Sequence, residues 1–264
     1  MMNELRFALY AIKKNIQNSA ELRTSFLTNI VGMMVNNTAF ILLWVFFVQS
    51  VGVINGWTPA DIVALQGFIA LCFGIVFSSA NGMRMVADAV VSGAFDRFML
   101  SPKSLLVRVA TASFGVAAIG DIIFGIACLV LYGFLIHANV YQLLFIGVLV
   151  IITTVVFLSA AIAVASASFL FTDSRSVTRG LFEFFLTPSM FHGGAFQGVL
   201  RFFFTFLVPS LLIGALPVEI VRDGDVKKLL LVSVLALAWF FIAILLFGRG
   251  VQKYESANFM TFGS

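Results

Sequence analysis

The sequence predicts an all-α integral membrane protein with six membrane-spanning helices. Two observations on composition lead to this fold class: 61% of the 264 residues are hydrophobic, and only 11% are charged. A soluble domain carries about 25% charged residues, so this chain cannot cover a water-facing surface. The third observation is a series of apolar runs, each close to the length of about 20 residues that a helix needs to cross the hydrocarbon core. We treat residues 1–264 as a single membrane domain.

The first 25 residues predict an interfacial helix before the first span. Leu5, Leu9, Ile12 and Ile16 share one helical face, and Lys13 lies off that stripe, as in helices that rest on a membrane surface. An amphipathic helix packed on the rest of the protein is the alternative. Because this segment is polar and the next apolar run is too long for a signal peptide, we expect the first span to remain as a signal anchor.

Six apolar segments follow, and the fifth differs from the others. The predicted spans are residues 26–49, 62–82, 109–136, 143–171, 181–217 and 229–247. The fifth is longer than one crossing requires, and it is interrupted by prolines and glycines, namely Pro188, Gly193, Gly194, Gly198 and Pro209. Irregular backbone at membrane depth must be shielded by protein or water, so this segment predicts a broken or re-entrant helix pair.

The lysines and arginines predict which side of the membrane each loop faces. The N-terminus, residues 84–108, residues 172–179 and the C-terminal tail carry 12 of the 16 basic residues. Basic loops stay in the cytoplasm, so both termini are expected there. The basic loop 217–228 does not fit this pattern. If the fifth segment crossed twice, that loop would be inside and the C-terminus outside. Trp57, in the loop after the first span, suits an anchor at headgroup level.

The sequence carries no motif of an enzyme. It contains no Gly-Lys dipeptide, hence no phosphate-binding loop of an ATPase, and no spacing of Cys or His that suggests a metal site. Cys72 and Cys128 lie in apolar runs and are expected to be buried, while His137 and His192 lie at membrane edges. The net charge of +4 suits loops beside anionic lipid rather than a nucleic-acid surface. We expect no enzymatic activity and no cofactor bound by this chain.

Three polar residues are predicted inside the spans. Asp121 follows Arg108 by 13 residues, about 20 Å along a helix, which predicts a position near the bilayer centre. A charge there is costly, so it indicates a translocation path or a proton site, or else a carboxyl group that holds helices together. Asn36 and Asn37 should face other helices, because lipid cannot satisfy their amides.

Residues 84–106 form the loop with the clearest sign of a contact. Val86 and Val90 belong to an apolar helical stripe, Gly93 breaks the helix, and Phe95 opens a second apolar set that ends at Pro102. So many large apolar side chains do not suit a solvated loop. They predict packing on the membrane domain or insertion as a helix into a partner's groove.

Three motifs resemble those of type-two ABC transporter permeases, the membrane subunits of drug- and polysaccharide-exporter-like systems. SGAFDRFMLSP, at residues 92–102, resembles the element that follows the second span in that family. FLVPSLLIGALPVEIV, at 206–221, resembles the proline-punctuated end of the fifth segment. Residues 247–258 resemble the ending W-x-x-G-x-x-x-Y-x-S-A of one bacterial branch, with Phe247 in place of the tryptophan. The resemblance covers essentially the whole chain.

The resemblance implies an exporter in the bacterial inner membrane, built from two permease chains, the same or different, and two cytoplasmic ATPases that bind ATP and Mg. In that family the element around residues 86–102 is the coupling helix. The expected contacts to the ATPase are therefore Val86, Val90, Gly93, Phe95, Asp96, Arg97 and Pro102, with salt bridges from Asp96 and Arg97. The broken fifth segment would form an external gate with Pro188, Gly193, Gly194 and Pro209 at its turns.

Two other functions remain open at this point. A secondary transporter would use Asp121 to couple transport to protons. A membrane-embedded enzyme would need paired catalytic groups at one depth, and the sequence offers none.

Overall fold

The computed structural model describes residues 2–51 and 56–254, which form helices and turns with no β-strand among them. The α-helices, in chain order, are α1 Met2–Ala20, α2 Arg23–Val51, α3 Pro59–Ser79, α4 Val86–Val91, α5 Asp96–Met99, α6 Leu105–Ala110, α7 Ala117–Leu135, α8 Val140–Ala167, α9 Ser174–Ser189, α10 Gly198–Phe202, α11 Ala215–Asp223 and α12 Val226–Gln252. Five of them, α2, α3, α7, α8 and α12, are long and apolar enough to cross a membrane. The predicted all-α membrane class is confirmed.

Helix α3 is the centre of the bundle, because most of its side chains are buried while α2, α7 and α8 pack around it. Its contact with α7 is close. A Cβ atom placed on Gly125 would lie 2.6 Å from the backbone nitrogen of Leu71, and one on Gly74 would lie 2.7 Å from that of Ile122. Glycine at these positions therefore lets the two backbones approach each other. Helix α12 packs against α8 on the other side of the bundle.

The third span begins later than predicted. The chain is not helical through Thr111–Val116, and α7 starts at Ala117 rather than near Val109. Tertiary hydrogen bonds hold this break: Asn15 of α1 donates to the carbonyl oxygen of Thr111 at 2.9 Å, and Asn81 donates to Ser113 Oγ at 2.9 Å. The short helix α6 therefore belongs to the preceding loop.

The predicted polar loop 217–228 is also wrong. Residues Ala215–Asp223 form α11, and most of its side chains are buried. Only a two-residue turn, with Gly224 in the left-handed region at φ 67°, separates it from α12. Asp225 caps α12 by accepting hydrogen bonds from the backbone of Lys227 and Lys228, as a helix N-cap requires.

The broken fifth segment is confirmed as a series of short helices. After α9 the chain makes a 3₁₀ turn at Gly193–Ala195, continues through α10 into a π-helical turn at Phe203–Leu207, and then enters α11. Three of the predicted break residues, Gly193, Gly194 and Pro209, lie in its turns, whereas Pro188 is tolerated in the last turn of α9.

Contacts between loops define two ends of the bundle. At one, which we call the basic end, α1 reaches Thr111, Arg175 of α9 contacts Asp88 of α4, and Tyr254 contacts Asp96. The four regions that carry most of the basic residues thus meet on one side, as the charge distribution predicted.

At the opposite end, Arg222 donates to the carbonyl oxygen of Gly56 at 3.1 Å and Gln142 donates to that of Val221 at 3.4 Å. Its cations are largely matched by acids: Arg222 lies 3.8 Å from Asp61, and Lys228 lies 2.9 Å from Asp223. The hydrogen bond from Lys228 lowers the pKa of Asp223. Two of the three basic residues that did not fit the charge pattern, Arg222 and Lys228, are therefore paired with carboxylates.

Helix α1 packs on the bundle through Asn15 and leaves its apolar stripe open. Leu5 and Leu9 are 64% and 59% exposed. A helix that was merely packed on the protein would bury this face, so its exposure agrees with a helix at the membrane interface.

Candidate functional site

The loop that the sequence singled out is a compact helical unit at the basic end. A 3₁₀ turn at Asn81–Met85 leads into α4, and the chain then reverses at Gly93 before α5. Gly93 has φ 72°, a left-handed conformation that glycine adopts without steric cost. The predicted helix break at Gly93 is therefore present.

Phe95 anchors this unit in an aromatic cluster. Its ring is fully buried and meets Phe169 and Tyr254 edge-on, with ring centroids 4.9 Å and 5.0 Å away. Phe169, at the end of α8, in turn packs edge-on against Phe247 of α12 at 5.7 Å. Edge-to-face pairs at these distances are favourable beyond the area they bury. The loop is thereby joined to the last turns of both α8 and α12.

Asp96 adds a polar contact at the same place. Tyr254, just beyond α12, donates its hydroxyl hydrogen to Asp96 Oδ1 at 2.9 Å. Partial burial, together with this bond to a carboxylate, raises the pKa of Tyr254 to about 12. The phenol therefore stays protonated as a donor throughout the physiological range.

Arg108 closes the other side of the loop. Its guanidinium donates to the carbonyl oxygen of Arg97 at 3.1 Å and to that of Phe98. Both carbonyls lie in the short helix α5, and the last carbonyls of a helix have no partner within the helix. Arg108 therefore holds α5 against α6.

The side chains predicted to contact an ATPase divide into two groups. Val86 and Phe95 are buried inside this chain, Val90 is half-buried, and Asp96 is bonded to Tyr254. Arg97 and Pro102 are exposed.

The most prominent apolar surface of the loop lies at Leu100, which was not singled out from the sequence, and at Met99, which belongs to the second apolar set. Leu100 is 85% exposed and Met99 is 51% exposed. Both lie within five residues of Phe95 in the sequence, so they protrude close to the part of the loop that Phe95 and Asp96 anchor.

The predicted polar core is present in part. Asn37 of α2 donates to Asp121 Oδ1 of α7 at 2.7 Å, and Asp121 is only 2% exposed. Asn36 does not join them and lies on the exposed face of α2. Asp121 is the fifth residue of α7, about 6 Å from its start, because the break before Ala117 shortens the span. The carboxyl therefore lies near the start of α7, whereas its partner Asn37 lies 14 residues into α2, about 21 Å along that helix. The position of Asp121 near the bilayer centre stays a prediction.

The broken segment is stabilised by an ion pair between two of its short helices. Arg201 of α10 lies 2.5 Å from Glu219 of α11, and the Glu219 side chain is 8% exposed. Arg201 also donates to the carbonyl oxygen of Gly193 at 3.4 Å. A Cβ atom on Gly193 would collide with the Glu219 carboxylate. The turn, α10 and α11 thus form one unit.

This unit packs on Trp57, which the sequence placed at the membrane surface. Trp57 is 2% exposed, with the guanidinium of Arg222 5.9 Å from its ring and the ring of His192 at 6.1 Å. The predicted headgroup anchor is therefore wrong. The indole instead packs between the broken segment and α3.

One comparison with known proteins identifies the chain. The family model described as ABC-2 family transporter protein matches residues 33–258. The chain belongs to the ABC-2 transporter family. No curated protein and no solved structure matches it.

The family match covers most of the architecture described above. The matched range takes in the anchored loop, the broken segment and the last span. Within the described residues there is no group of three His, Cys, Asp or Glu side chains that could hold a metal ion. Of the tail motif, residues 255–258 lie outside the described residues, whereas Phe247 and Tyr254 lie in the aromatic cluster.

The sequence reading of the permease missed the partners of its own motifs. Phe169 was assigned only to a span, Phe247 to a span and to the tail motif, and Arg108 only to the charge of the loop. A signal was available: Asp96 and Tyr254 both lie in motifs that carry the family resemblance. Nothing in the linear sequence, however, shows that residues 158 positions apart are bonded.

Proposed function

We propose that this ABC-2 permease is the membrane subunit of an exporter driven by a separate cytoplasmic ATPase, in a bacterial inner membrane. ATP and Mg would be bound and hydrolysed by that ATPase, since this chain has no phosphate-binding loop. The family match supports the permease role, and the resemblance to exporter subunits supports the outward direction.

The observation that carries the proposal is the exposure of Leu100 and Met99 on an anchored loop. Exposed large apolar side chains at a loop tip suit insertion into a partner's groove. Phe95 and Asp96 fix the base of this tip to α8 and α12. A force applied at Leu100 would therefore reach two spans directly. Arg97, exposed beside it, would add a salt bridge to the ATPase.

We further propose six crossings with both termini in the cytoplasm. Helix α9 would be the crossing that completes the five apolar ones, since it starts beside Asp88 and is followed by His192 beside Trp57 at the opposite end. Its 16 residues rise about 24 Å, somewhat less than the hydrocarbon core. The turns and short helices that follow α9 would form the external gate, held by Arg201 and Glu219.

A second permease chain, the same or different, would pack on α2. Only 6% of the residues in the apolar stretch of α2 are buried inside this chain. Asn36 makes no hydrogen bond within the described part of the chain. Lipid cannot satisfy a carboxamide, whereas a neighbouring helix can. Cross-linking at Asn36→Cys, against the buried background of Cys72 and Cys128, tests this contact.

The test of coupling is a change at Leu100. The Leu100→Asp variant and the wild type are co-expressed with the ATPase, extracted in mild detergent and purified through the permease. We expect the ATPase to be lost from the variant, because an apolar anchor becomes a charge. Leu170→Asp is the matched control, since Leu170 is 52% exposed and lies at the same end but outside the loop.

Equal recovery of the ATPase with Leu100→Asp and with wild type would contradict docking through this loop. Equal loss in both variants would place the contact across the whole basic end instead.

A further inference from the structure

Three arginines surround a cavity of about 250 Å³ at the basic end. Arg84 comes from the 3₁₀ turn after α3, and Arg175 and Arg179 come from consecutive turns of the same face of α9. Ser168, at the end of α8, lines the cavity with them. Three separate segments of the chain therefore converge on one small volume.

The charges around this cavity do not balance. Asp88 is its one carboxylate, and it is occupied by Arg175, whose Nε lies 2.6 Å from Asp88 Oδ1. Arg179 makes no ion pair or hydrogen bond within the described part of the chain. Arg84 forms no salt bridge there, although the Asp121 carboxylate lies within electrostatic range of it, and its guanidinium stacks on the rings of Phe77 and Phe73, 4.9 Å and 5.8 Å from their centroids. Among the described residues, Arg179 is thus left without a counter-ion and Arg84 without a salt bridge.

A buried polar side chain also lines this cavity. Ser168 is 1% exposed, and its Oγ has no hydrogen-bond partner. A buried hydroxyl without a partner is costly, and such a group calls for a ligand or water. Stacking on Phe77 and the ion pair with Asp88 also hold Arg84 and Arg175 in place before any ligand arrives, which lowers the entropic cost of binding.

We propose that this cavity binds a phosphate-bearing anion. Guanidinium groups form charge-assisted and often bidentate bonds with phosphate oxygens, and Ser168 supplies a further donor. A phosphate group would supply the counter-charge that Arg179 lacks and a closer partner for Arg84. A lipid headgroup of the cytoplasmic leaflet and a dissolved phosphate compound share this chemistry. The bound anion would bridge Arg84, Arg179 and the end of α8.

The test measures binding by the full-length permease purified in detergent, and it does not depend on the ATPase. One arm adds short-chain phosphatidic acid, with short-chain phosphatidylcholine as its zwitterionic control. The other adds inorganic pyrophosphate, with sodium chloride at equal ionic strength. The readout is the thermal unfolding midpoint as a function of probe concentration, which yields an apparent Kd.

Arg179→Gln is the decisive variant, because Arg179 makes no hydrogen bond or ion pair with the described residues that its loss would break. We expect at least about tenfold weaker binding, the equivalent of losing one charge-assisted bond of about 1.4 kcal/mol. Arg84→Gln should weaken binding as well. Arg249→Gln, at an exposed arginine near the end of α12, should bind as the wild type does.

A response to phosphatidic acid alone identifies the lipid as the source, and a response to pyrophosphate alone identifies a dissolved anion. Either result supports the proposal if Arg179→Gln weakens it. The proposal is overturned if neither probe shifts the midpoint, or if Arg179→Gln and Arg249→Gln bind equally well.

Discussion

Tyr254 and Asp96, 158 residues apart in the chain, are joined by a hydrogen bond of 2.9 Å. The bond links the end of the last helix to the loop between α3 and α7, and Phe95 and Phe169 pack around it. Two motifs that carry the family resemblance therefore contact each other. Their first role is to hold the loop in a fixed position on the membrane helices.

Two substitutions of Tyr254 should distinguish the stability that its hydrogen bond contributes from the stability that its ring contacts contribute. Tyr254→Phe keeps the ring against Phe95 and removes one hydrogen bond, so we expect a loss of about 1 kcal/mol in stability. Tyr254→Ala also removes the ring contacts and should cost about 3 kcal/mol or more. Thermal unfolding of the purified permease in detergent measures both. Equal effects of the two variants would mean that the ring contributes nothing.

The contact between α3 and α7 should tolerate no side chain at Gly125. A Cβ atom there would lie 2.6 Å from the backbone nitrogen of Leu71, and neither backbone can move without shifting a helix. Gly125→Ala should therefore destabilise the permease by about 1–3 kcal/mol, the usual range for overpacking. The unfolding midpoint is again the measurement.

Gly147→Ala is the control for this change. Gly147 lies in α8 and an added Cβ would meet nothing within 4 Å. Alanine favours a helix over glycine by up to about 1 kcal/mol, so this variant should be unchanged or slightly more stable. If both alanine variants behave alike, close approach of α3 and α7 is not what glycine provides at position 125.

Much of this fold follows from hydropathy. Where the observed helices differ from the predicted spans, the cause is local. The apolar runs predicted α2, α3, α8 and α12 closely, because lipid imposes a simple rule on any helix that crosses it. The start of α7 was missed since residues 111–116 carry no charge and no proline. Hydrogen bonds from Asn15 and Asn81, and one from the Gly115 backbone to Phe77, hold the chain out of a helix there.

The site could be predicted only in part, for a related reason. The helix break at Gly93 could be predicted because glycine is the residue preferred in a left-handed turn. The burial of Val86 and Phe95, and the exposure of Leu100, depend on which face meets α8 and α12. In so short a helical unit no periodicity distinguishes a side chain that packs inward from one that a partner could take up.

Removing the charge of Arg201 should destabilise the permease more than removing the charge of its partner Glu219. Arg201→Gln leaves the Glu219 carboxylate, which is 8% exposed, without a counter-charge. Breaking a buried pair in this way costs up to about 3 kcal/mol. Glu219→Gln should cost less, because the Arg201 side chain is 37% exposed and can be hydrated. Unfolding midpoints should therefore rank wild type above Glu219→Gln and that above Arg201→Gln.

The double variant Arg201→Gln/Glu219→Gln is the control for this pair. It removes both charges and should recover part of the loss, because no buried carboxylate remains. A double variant as unstable as the sum of the two single changes would indicate that Arg201 and Glu219 act independently. Their contact would then not be what holds α10 to α11.

Substitutions of Asp121 test whether its carboxyl group has a structural role or carries a proton during transport. Asp121→Asn keeps an oxygen that can accept from Asn37, so we expect stability within about 1 kcal/mol of wild type and unchanged ATP-driven transport. Asp121→Leu leaves the Asn37 amide unpaired and should cost about 1–3 kcal/mol. Transport in reconstituted vesicles is compared with and without a proton ionophore. Transport that the ionophore stops, and that Asp121→Asn abolishes without loss of stability, would establish proton coupling in place of ATP.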